Sequence, residues 1–198
     1  GTDFGDYDGD GLLDLFVANH EYETHTLFRN LGGGLFEDAT FGSGVGLETR
    51  PFVGFGALFL DYDSDGALDL AVANQNSDTV SLLLGNGVGT FAAATSISSG
   101  GSNPKWITSA DFDGDARPDL AVLNYNSATV TVLRNLGGAS FATPVVYAGV
   151  GNSYDIDATD LNADGRPDLV VSNYNNDRLR VLLNKGDGTF SAVVTYNP

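Results

Sequence analysis

Cysteine is absent from this sequence, basic residues are few, and no long apolar run occurs. The absence of cysteine excludes disulfide bonds, thiolate nucleophiles and cysteine-ligated zinc. Nine Lys and Arg against 26 Asp and Glu give a formal net charge of −17, which argues against nucleic acid and anionic membrane partners. No stretch approaches the roughly 18 apolar residues of a membrane-spanning helix, so no membrane insertion is expected.

The remaining composition is that of a folded protein. Hydrophobic residues make up 42% of the 198 residues and charged residues only 18%, which is typical of globular chains and not of disordered ones. A chain of this length can bury a sizeable core as one domain or as a short array of repeats.

One nine-residue motif occurs four times, at residues 6–14, 61–69, 111–119 and 160–168. Acids or their amide stand at positions 1, 3 and 5, a glycine usually at 6 and an aspartate at 9. Alternate side-chain oxygens and a sharp glycine turn suit a loop around Ca²⁺, which takes six to eight oxygen ligands. Position 7 offers its backbone carbonyl. The predicted metal ligands are Asp6, Asp8, Asp10, Leu12, Asp14, Asp61, Asp63, Asp65, Ala67, Asp69, Asp111, Asp113, Asp115, Arg117, Asp119, Asp160, Asn162, Asp164, Arg166 and Asp168.

The alternative for these loops is a set of Asx turns that satisfy their own backbone and bind nothing. Against it, clustered carboxylates repel one another unless a cation neutralises them. The loops hold 15 of the 26 acidic residues, and four Ca²⁺ ions would reduce the net charge to about −9. The motif is not an EF-hand, because position 12 is valine in a β-type run in every copy. We therefore expect up to four Ca²⁺ ions.

The motif is part of a longer repeat. The first aspartates are 55, 50 and 49 residues apart, and from each closing aspartate an asparagine follows after five residues and a phenylalanine after 22. Each period reads as four short strands, A to D, with the acidic loop between A and B. The sequence predicts an all-β fold, a β-propeller of four-stranded antiparallel blades. We expect four blades near residues 1–43, 51–98, 104–148 and 153–198, the first lacking most of strand A, of which Gly1 to Gly5 remain.

The acidic loops, the asparagine that ends strand B and the Gly-Asp-Gly-Thr-Phe run at 186–190 resemble FG-GAP repeats of the VCBS type, an integrin-α-like family. The resemblance implies a calcium-binding β-propeller with an ion in the A–B loop of each blade. By this resemblance, a ring of seven blades is expected more often than a ring of four. The chain is therefore interpreted as one propeller, or as an arc of a seven- or eight-bladed ring or of a unit completed by a partner chain. Apolar end-blade faces would then permit self-association or addition of further blades.

Two loops depart from the motif. Ala116 replaces the glycine of the third loop, so either Ala116 adopts a positive φ, at a cost of about 1 kcal/mol, or the turn differs. Asn162 replaces an aspartate in the fourth loop and removes one charge. The third loop is predicted to be the weakest site.

The B–C loops and D–A connectors share the end of each blade opposite the acidic loops. Aromatic rings and amides lie there side by side in the sequence, and this combination suits a sugar. The candidate ligand-binding residues are His20, Tyr22, Trp106, Tyr125, Asn126, Tyr154, Tyr174 and Asn175. The alternative is structural: Trp106 packs between blades, and the asparagines that end strand B satisfy turn backbone.

No catalytic residue is predicted. Asp155 and Asp157 can be a glycosidase-type carboxylate pair or solvated strand residues. Lys105 and Tyr154 could form a lyase-type base with His20, but nothing in the sequence brings them together. His20 and His25 suggest zinc only weakly, because adjacent strand residues face opposite ways.

The sequence thus favours a calcium-stabilised binding module for a glycan or protein partner over an enzyme. Because such loops fill where Ca²⁺ is near millimolar, we expect a secreted, periplasmic or cell-surface location. Two alternatives stay open: the propeller part of a polysaccharide-active enzyme of lyase or dehydratase type, and a structural or adhesion unit that assembles through open blade edges.

Overall fold

The computed structural model describes residues 1–19, 23–46, 54–173 and 177–197. They form two compact units, Gly1–Ser98 and Ser99–Pro198. Each unit contains two four-stranded antiparallel sheets. Among the described residues, no helix has the length and apolar character needed to cross a membrane.

The first unit contains the first and second sheets, each with its strands in chain order. The first sheet consists of β1 (Thr2–Gly5), β2 (Asp14–Val17), β3 (Thr26–Asn30) and β4 (Phe36–Asp38). The second consists of β5 (Gly54–Leu60), β6 (Asp69–Asn74), β7 (Thr79–Leu83) and β8 (Thr95–Ser98). The remnant expected at Gly1 to Gly5 supplies the edge strand β1, which has four residues against seven in β5.

The second unit contains the third and fourth sheets. The third sheet consists of β9 (Pro104–Ala110), β10 (Asp119–Asn124), β11 (Thr129–Leu133) and β14 (Val145–Ala148). A small hairpin of β12 (Asn135–Gly137) and β13 (Ser140–Phe141) lies between β11 and β14 in the chain. The fourth sheet consists of β15 (Asp155–Thr159), β16 (Asp168–Asn173), β17 (Arg178–Leu182) and β18 (Val194–Tyr196). The all-β, four-stranded antiparallel prediction is confirmed.

The second strand of each sheet begins at the closing aspartate of an acidic loop and continues as a short apolar run. Every residue of β6 and of β10 is buried. A run that is apolar at successive positions must be covered on both faces, so these strands are packed against neighbours on either side. The two units have separate cores, one around Phe16 and Leu70 and the other around Leu123 and Val171.

The recurring phenylalanine explains how neighbouring sheets pack inside a unit. Phe91 stacks on Tyr7 with ring centres 5.8 Å apart, and Phe190 meets Phe112 edge-on at 5.3 Å. In both cases the phenylalanine of one sheet contacts position 2 of the acidic loop in the preceding sheet. Burial of these rings anchors the loops to the core, since large aromatic side chains dominate the packing energy.

Candidate functional site

The four acidic loops share one backbone conformation, with positive φ at both position 4 and position 6. Position 6 is Gly11, Gly66, Ala116 and Gly165, with φ of 87°, 87°, 67° and 83°. Position 4 is Gly9, Ser64, Gly114 and Ala163, with φ of 74°, 62°, 82° and 59°. Ala116 therefore adopts the left-handed conformation, the first of the two alternatives for the third loop. The requirement at position 4 was missed, because two of the four residues there are not glycine.

The position-9 aspartates anchor each loop to its sheet. Asp119 is fully buried; its Oδ2 accepts from the Phe112 N–H at 3.0 Å and its Oδ1 from the Asn135 N–H at 2.7 Å. The other three loops repeat both contacts. Burial raises the pKa of Asp69 and of Asp119 to about 6, although the backbone N–H donors oppose this. With a pKa of about 6 both carboxyls are mostly ionised at neutral pH, and a cation nearby would lower their pKa further.

An asparagine that sequence reasoning missed completes this anchor. Asn30, Asn135 and Asn184 each donate from Nδ2 to the carbonyl of loop position 8, at 2.9, 3.1 and 3.0 Å. Each follows the closing aspartate by 16 residues, and the second loop has Gly85 at that place. The constant spacing was the signal that could have identified them.

Carboxylates converge in the first three loops. One oxygen from each of three residues lies within 4.8 Å of the others in Asp6, Asp8 and Asp10, in Asp61, Asp63 and Asp69, and in Asp111, Asp113 and Asp115. The fourth loop has Asn162 at the third position, and its Nδ2 donates to Asp164 Oδ2 at 3.0 Å. Three of the four loops thus gather acidic oxygens where one small cation could reach them.

The same carboxylates also hold the turn backbone, as the Asx-turn alternative requires. Asp111 accepts from the Gly114 and Ala116 N–H groups at 2.7 and 2.9 Å, and Asp115 accepts from the Arg117 N–H at 3.0 Å. These contacts satisfy backbone donors but leave lone pairs, since a carboxylate can accept about four hydrogen bonds. Turn formation and cation binding are therefore compatible in these loops.

The second loop fits a cation best. Asp61 Oδ1 and Asp63 Oδ1 are buried without a hydrogen-bond partner, an arrangement that is costly for carboxylate oxygens unless a cation meets them. In the described part of the chain this loop makes no ion pair with arginine or lysine, whereas the other three loops do. An all-oxygen donor set is the kind that Ca²⁺ prefers, so the residues present fit calcium.

Arginine side chains form ion pairs with carboxylates of the other three loops. Arg29 Nε lies 2.6 Å from Asp8 Oδ2, and Arg166 Nη2 lies 2.6 Å from Asp164 Oδ2. In the third loop Arg117 pairs with Asp115, and Arg134 Nη1 lies 3.3 Å from Asp113 Oδ2. Each guanidinium neutralises part of the acidic charge and competes with a metal ion for the same oxygens.

At the other end of the third and fourth sheets, three rings and one ammonium group converge. Trp106 and Tyr154 meet edge-on with ring centres 5.6 Å apart, and Tyr125 and Tyr154 at 5.2 Å. The Tyr125 and Tyr154 hydroxyls are 2.9 Å apart. Lys105 Nζ lies 4.3 Å from the Tyr125 ring centre and 5.8 and 5.9 Å from those of Trp106 and Tyr154. We call these four residues the aromatic cluster.

Hydrogen bonds to loop backbone hold the aromatic cluster in place. The Tyr125 N–H donates to Asn103 O at 2.8 Å, and Asn152 Nδ2 donates to Tyr125 O at 2.9 Å. Asn173 Nδ2 in turn donates to Asn152 O at 3.1 Å. Three predicted ligand contacts, Trp106, Tyr125 and Tyr154, thus lie together, and Asn126 is exposed beside Tyr125. The other candidates, His20, Tyr22, Tyr174 and Asn175, lie outside the described residues.

The asparagines that end strand B have structural roles. Asn74 Nδ2 donates to the hydroxyls of Thr79 and Ser81, and Asn124 Nδ2 donates to that of Thr131. These bonds tie the second strand to the third at the strand end. The structural alternative therefore explains these asparagines without a ligand.

His25 and the Asp155/Asp157 pair show no catalytic arrangement among the described residues. His25 is fully buried, its Nδ1 accepts from the Asn19 N–H at 3.1 Å, and burial lowers its pKa to about 4. Asp155 and Asp157 are exposed, and each accepts from the N–H of the next residue. His25 is a neutral core residue, and the two aspartates are solvated strand residues.

Repeated four-stranded antiparallel sheets, each with an acidic turn between its first and second strands, place this chain in the β-propeller class. Residues 61–122, 111–171 and 160–198 each match the FG-GAP-like repeat, so the match extends over most of the chain. The chain therefore belongs to the FG-GAP-like repeat family. Its first acidic loop, residues 6–14, lies outside the matched region but has the same motif.

Solved structures show the same fold. A lectin of Agrocybe aegerita, which recognises non-reducing terminal N-acetylglucosamine, matches with a TM-score of 0.64 and 24% identity over 96% of this chain and 50% of its own. BBS1N, solved in complex with ARL6DN, matches with a TM-score of 0.63 and 13% identity over 98% of this chain and 56% of its own. The chain thus spans about half the length of each. A search of curated protein sequences gives no significant match.

Proposed function

We propose that this protein is an extracellular, calcium-stabilised β-propeller module that binds a glycan through the aromatic cluster. The observation that carries the proposal is the convergence of Trp106, Tyr125 and Tyr154 around Lys105 at the end of the sheets away from the acidic loops. The glycan-binding lectin with the same fold supports this ligand class, although at 24% identity the likeness concerns the fold.

The chemistry of the aromatic cluster suits a sugar. Aromatic faces cover the apolar C–H faces of a pyranose ring, while phenol hydroxyls, an ammonium group and the amide of Asn126 can meet its hydroxyls. Trp106, Tyr125 and Tyr154 are half-buried, so their rings are held by packing and lose little conformational freedom when a ligand binds. A preorganised, partly apolar platform of this kind distinguishes a binding surface from an ordinary turn.

Calcium is proposed to be structural, with the strongest site in the second loop. Asp61, Asp63 and Asp69 would hold the ion there, and their unpartnered or buried oxygens support this. An ion held by contiguous loop residues adds its binding free energy to folding. We further propose that each sheet and its loop form one blade, with boundaries near residues 1–43, 51–98, 104–148 and 153–198. Because such loops fill at near-millimolar Ca²⁺, they point to a secreted, periplasmic or cell-surface location.

A glycan-array screen in Ca²⁺, followed by titration calorimetry with the best ligand, tests the proposal. Trp106→Ala and Tyr125→Ala should each weaken binding by about tenfold or more, because each removes a stacking surface. Phe41→Ala is the matched control, since its ring is 64% exposed in the other unit and should not affect binding. An array without a hit, or equal losses in the control, would contradict glycan binding; a protein partner would then be the alternative.

The enzyme alternative has no comparable support among the described residues. It needs Lys105 and Tyr154 to meet His20, and His20 lies outside the described residues. Asp155 and Asp157 are exposed strand residues, and each accepts a hydrogen bond from the N–H of the next residue.

A further inference from the structure

The packing of the first sheet on the second shows which contacts join neighbouring repeats. One face of the first sheet presents Asp3, Phe16 and Leu27, which are cross-strand partners. Asp3 Oδ2 accepts from the Phe59 N–H of β5 at 2.7 Å, and Phe16 meets the Phe59 ring edge-on at 6.3 Å. The joint thus combines a charged hydrogen bond at the β5 edge with an apolar interior.

The exposed face of the fourth sheet repeats the acceptor side of this joint, the side that carries the carboxylate. Counting from the closing aspartate, Asp157, Val170 and Val181 occupy the register positions of Asp3, Phe16 and Leu27. Leu179, which is 50% exposed, Val194 and Tyr196 extend the same face, because they are cross-strand partners. A cavity of about 70 Å³ lies between Asp157 and Leu179. We call this surface the fourth-sheet face.

The exposed face of the first sheet repeats the donor side, the side that carries the backbone N–H. In the second sheet, the residues that cover Phe16 or lie in its cluster are Phe59, Leu70, Val72 and Leu83. The residues at the same register positions of the first sheet are, in the same order, Phe4, Leu15, Val17 and Phe28. Phe4 is 57% exposed. We call this surface the first-sheet face.

The first-sheet face also offers the matching backbone donor. The Ala18 N–H donates to Gly1 O at 2.8 Å, so in this antiparallel pair the hydrogen-bonded positions are the odd residues of β1. Phe4 and Leu15 are then a non-hydrogen-bonded pair, and the Phe4 N–H points away from β2. Since β1 is the edge strand of its sheet, the Phe4 N–H points outward from the sheet edge, as the Phe59 N–H of β5 does.

A third match occurs at the level of the loops. Inside each unit, the recurring phenylalanine packs on position 2 of the preceding acidic loop, as Phe91 does on Tyr7 and Phe190 on Phe112. Phe36, the phenylalanine of the first sheet, is 46% exposed, and Leu161, position 2 of the fourth loop, is 47% exposed. Phe36 would pack on position 2 of an acidic loop from another repeat, and Leu161 would receive the recurring phenylalanine of another repeat.

We propose that the fourth-sheet face of one molecule binds the first-sheet face of a second copy, with the Phe4 N–H donating to Asp157 and Phe36 packing on Leu161. The second copy is the occupant because this sequence itself carries both complementary halves of the joint seen between the first and second sheets. The contact is heterologous, because two different surfaces meet: in a dimer, one copy still has its first-sheet face available and the other its fourth-sheet face.

Complementation between blocked variants tests the proposal. Sedimentation velocity in Ca²⁺ over a range of protein concentrations should show wild-type association. Phe4→Lys blocks the first-sheet face and Leu179→Lys blocks the fourth-sheet face, so each variant alone should be monomeric. Mixed one to one, they should form a heterodimer, because one intact face of each kind remains. Asp157→Ala should weaken association by about tenfold, the usual effect of losing a hydrogen bond to a charged group.

Val146→Lys is the matched control, because Val146 is 47% exposed on β14 and belongs to neither face. It should leave association unchanged, and circular dichroism should show all four variants folded. A monomeric wild type would overturn the proposal and leave these faces to other repeats or partners. Blocked variants that stay monomeric when mixed, or a control that dissociates like Leu179→Lys, would equally overturn it.

Discussion

The second and third acidic loops share a motif and a backbone conformation, but their surroundings differ. In the second loop, Asp61 and Asp63 have buried oxygens without partners, and no arginine approaches within the described residues. In the third loop, Arg117 and Arg134 pair with Asp115 and Asp113. The third loop also has alanine in place of glycine at position 6. The comparison shows that cation affinity depends on nearby charges and on backbone strain as well as on the ligand pattern.

The largest expected effect is the loss of thermal stability when one carboxylate of the second loop is removed, compared with the same change in the third loop. In Ca²⁺ at 100 to 1,000 times Kd, a bound ion stabilises the fold by about 3–4 kcal/mol. Asp63→Ala should therefore lower Tm in Ca²⁺ by about 10 °C, and Asp113→Ala by much less. Thermal melts with and without EDTA measure this, and EDTA should abolish the difference. Equal losses in the two variants would remove the proposed ranking of the sites.

Low pH should destabilise the protein through His25, a buried group that does not belong to any acidic loop. Burial lowers the pKa of His25 to about 4, so between pH 6.5 and 4 the unfolded chain binds more protons than the folded one. Stability should fall by up to about 3 kcal/mol over this range as pH decreases. His25→Val, which introduces the residue found at the equivalent position of the second repeat, Val80, should remove that part of the loss. Chemical denaturation in EDTA measures it, and an unchanged pH profile in the variant would contradict the assignment.

Removing arginines should bring the third loop closer to the second. With Arg117 and Arg134 both changed to Gln, Asp113 and Asp115 lose their competing cations. Ca²⁺ affinity of that loop should then rise by about tenfold, a difference of about 1.4 kcal/mol. Calorimetric titration of this variant and of its parent, both in an Asp63→Ala background that removes the second-loop site, measures the change. An affinity that stays the same would show that the ion pairs do not compete with the metal.

The smallest effect concerns the backbone at position 6. Because Ala116 has φ of 67°, Ala116→Gly should stabilise the protein by about 1 kcal/mol. The reverse change in the second loop, Gly66→Ala, should destabilise it by a similar amount. No neighbouring atom lies within 4 Å of a Cβ added at Gly66, so the effect would be conformational and not steric. Urea denaturation measures both, and effects of the same sign would contradict this account.

The recurring motif and spacing predicted much of the fold. The closing aspartates begin the second strands, and the four-stranded repeat follows from the turn pattern. These features are local or strictly periodic, so a single sequence reveals them. Positive φ at position 4 was not predictable from residue type, because Ser64 and Ala163 adopt it despite their side chains.

The candidate binding site was predicted only in part. Aromatic residues at the strand ends indicated the region, but the sequence did not place Lys105 over the Tyr125 ring or pair the Tyr125 and Tyr154 hydroxyls. These contacts join residues far apart in the chain, and their geometry depends on how neighbouring loops fold against each other.

What the sequence by itself determined is the repeat: oxygen-bearing side chains at alternate positions of a turn, followed by a strand that must be buried. This follows from local geometry, because ligand spacing and side-chain alternation are set within a few residues. Only the tertiary structure decided which loop keeps its carboxylates free of arginine, which rings meet, and which sheet faces stay exposed. Those outcomes depend on charges and surfaces that approach through space from other strands, and residue spacing along the chain does not specify them.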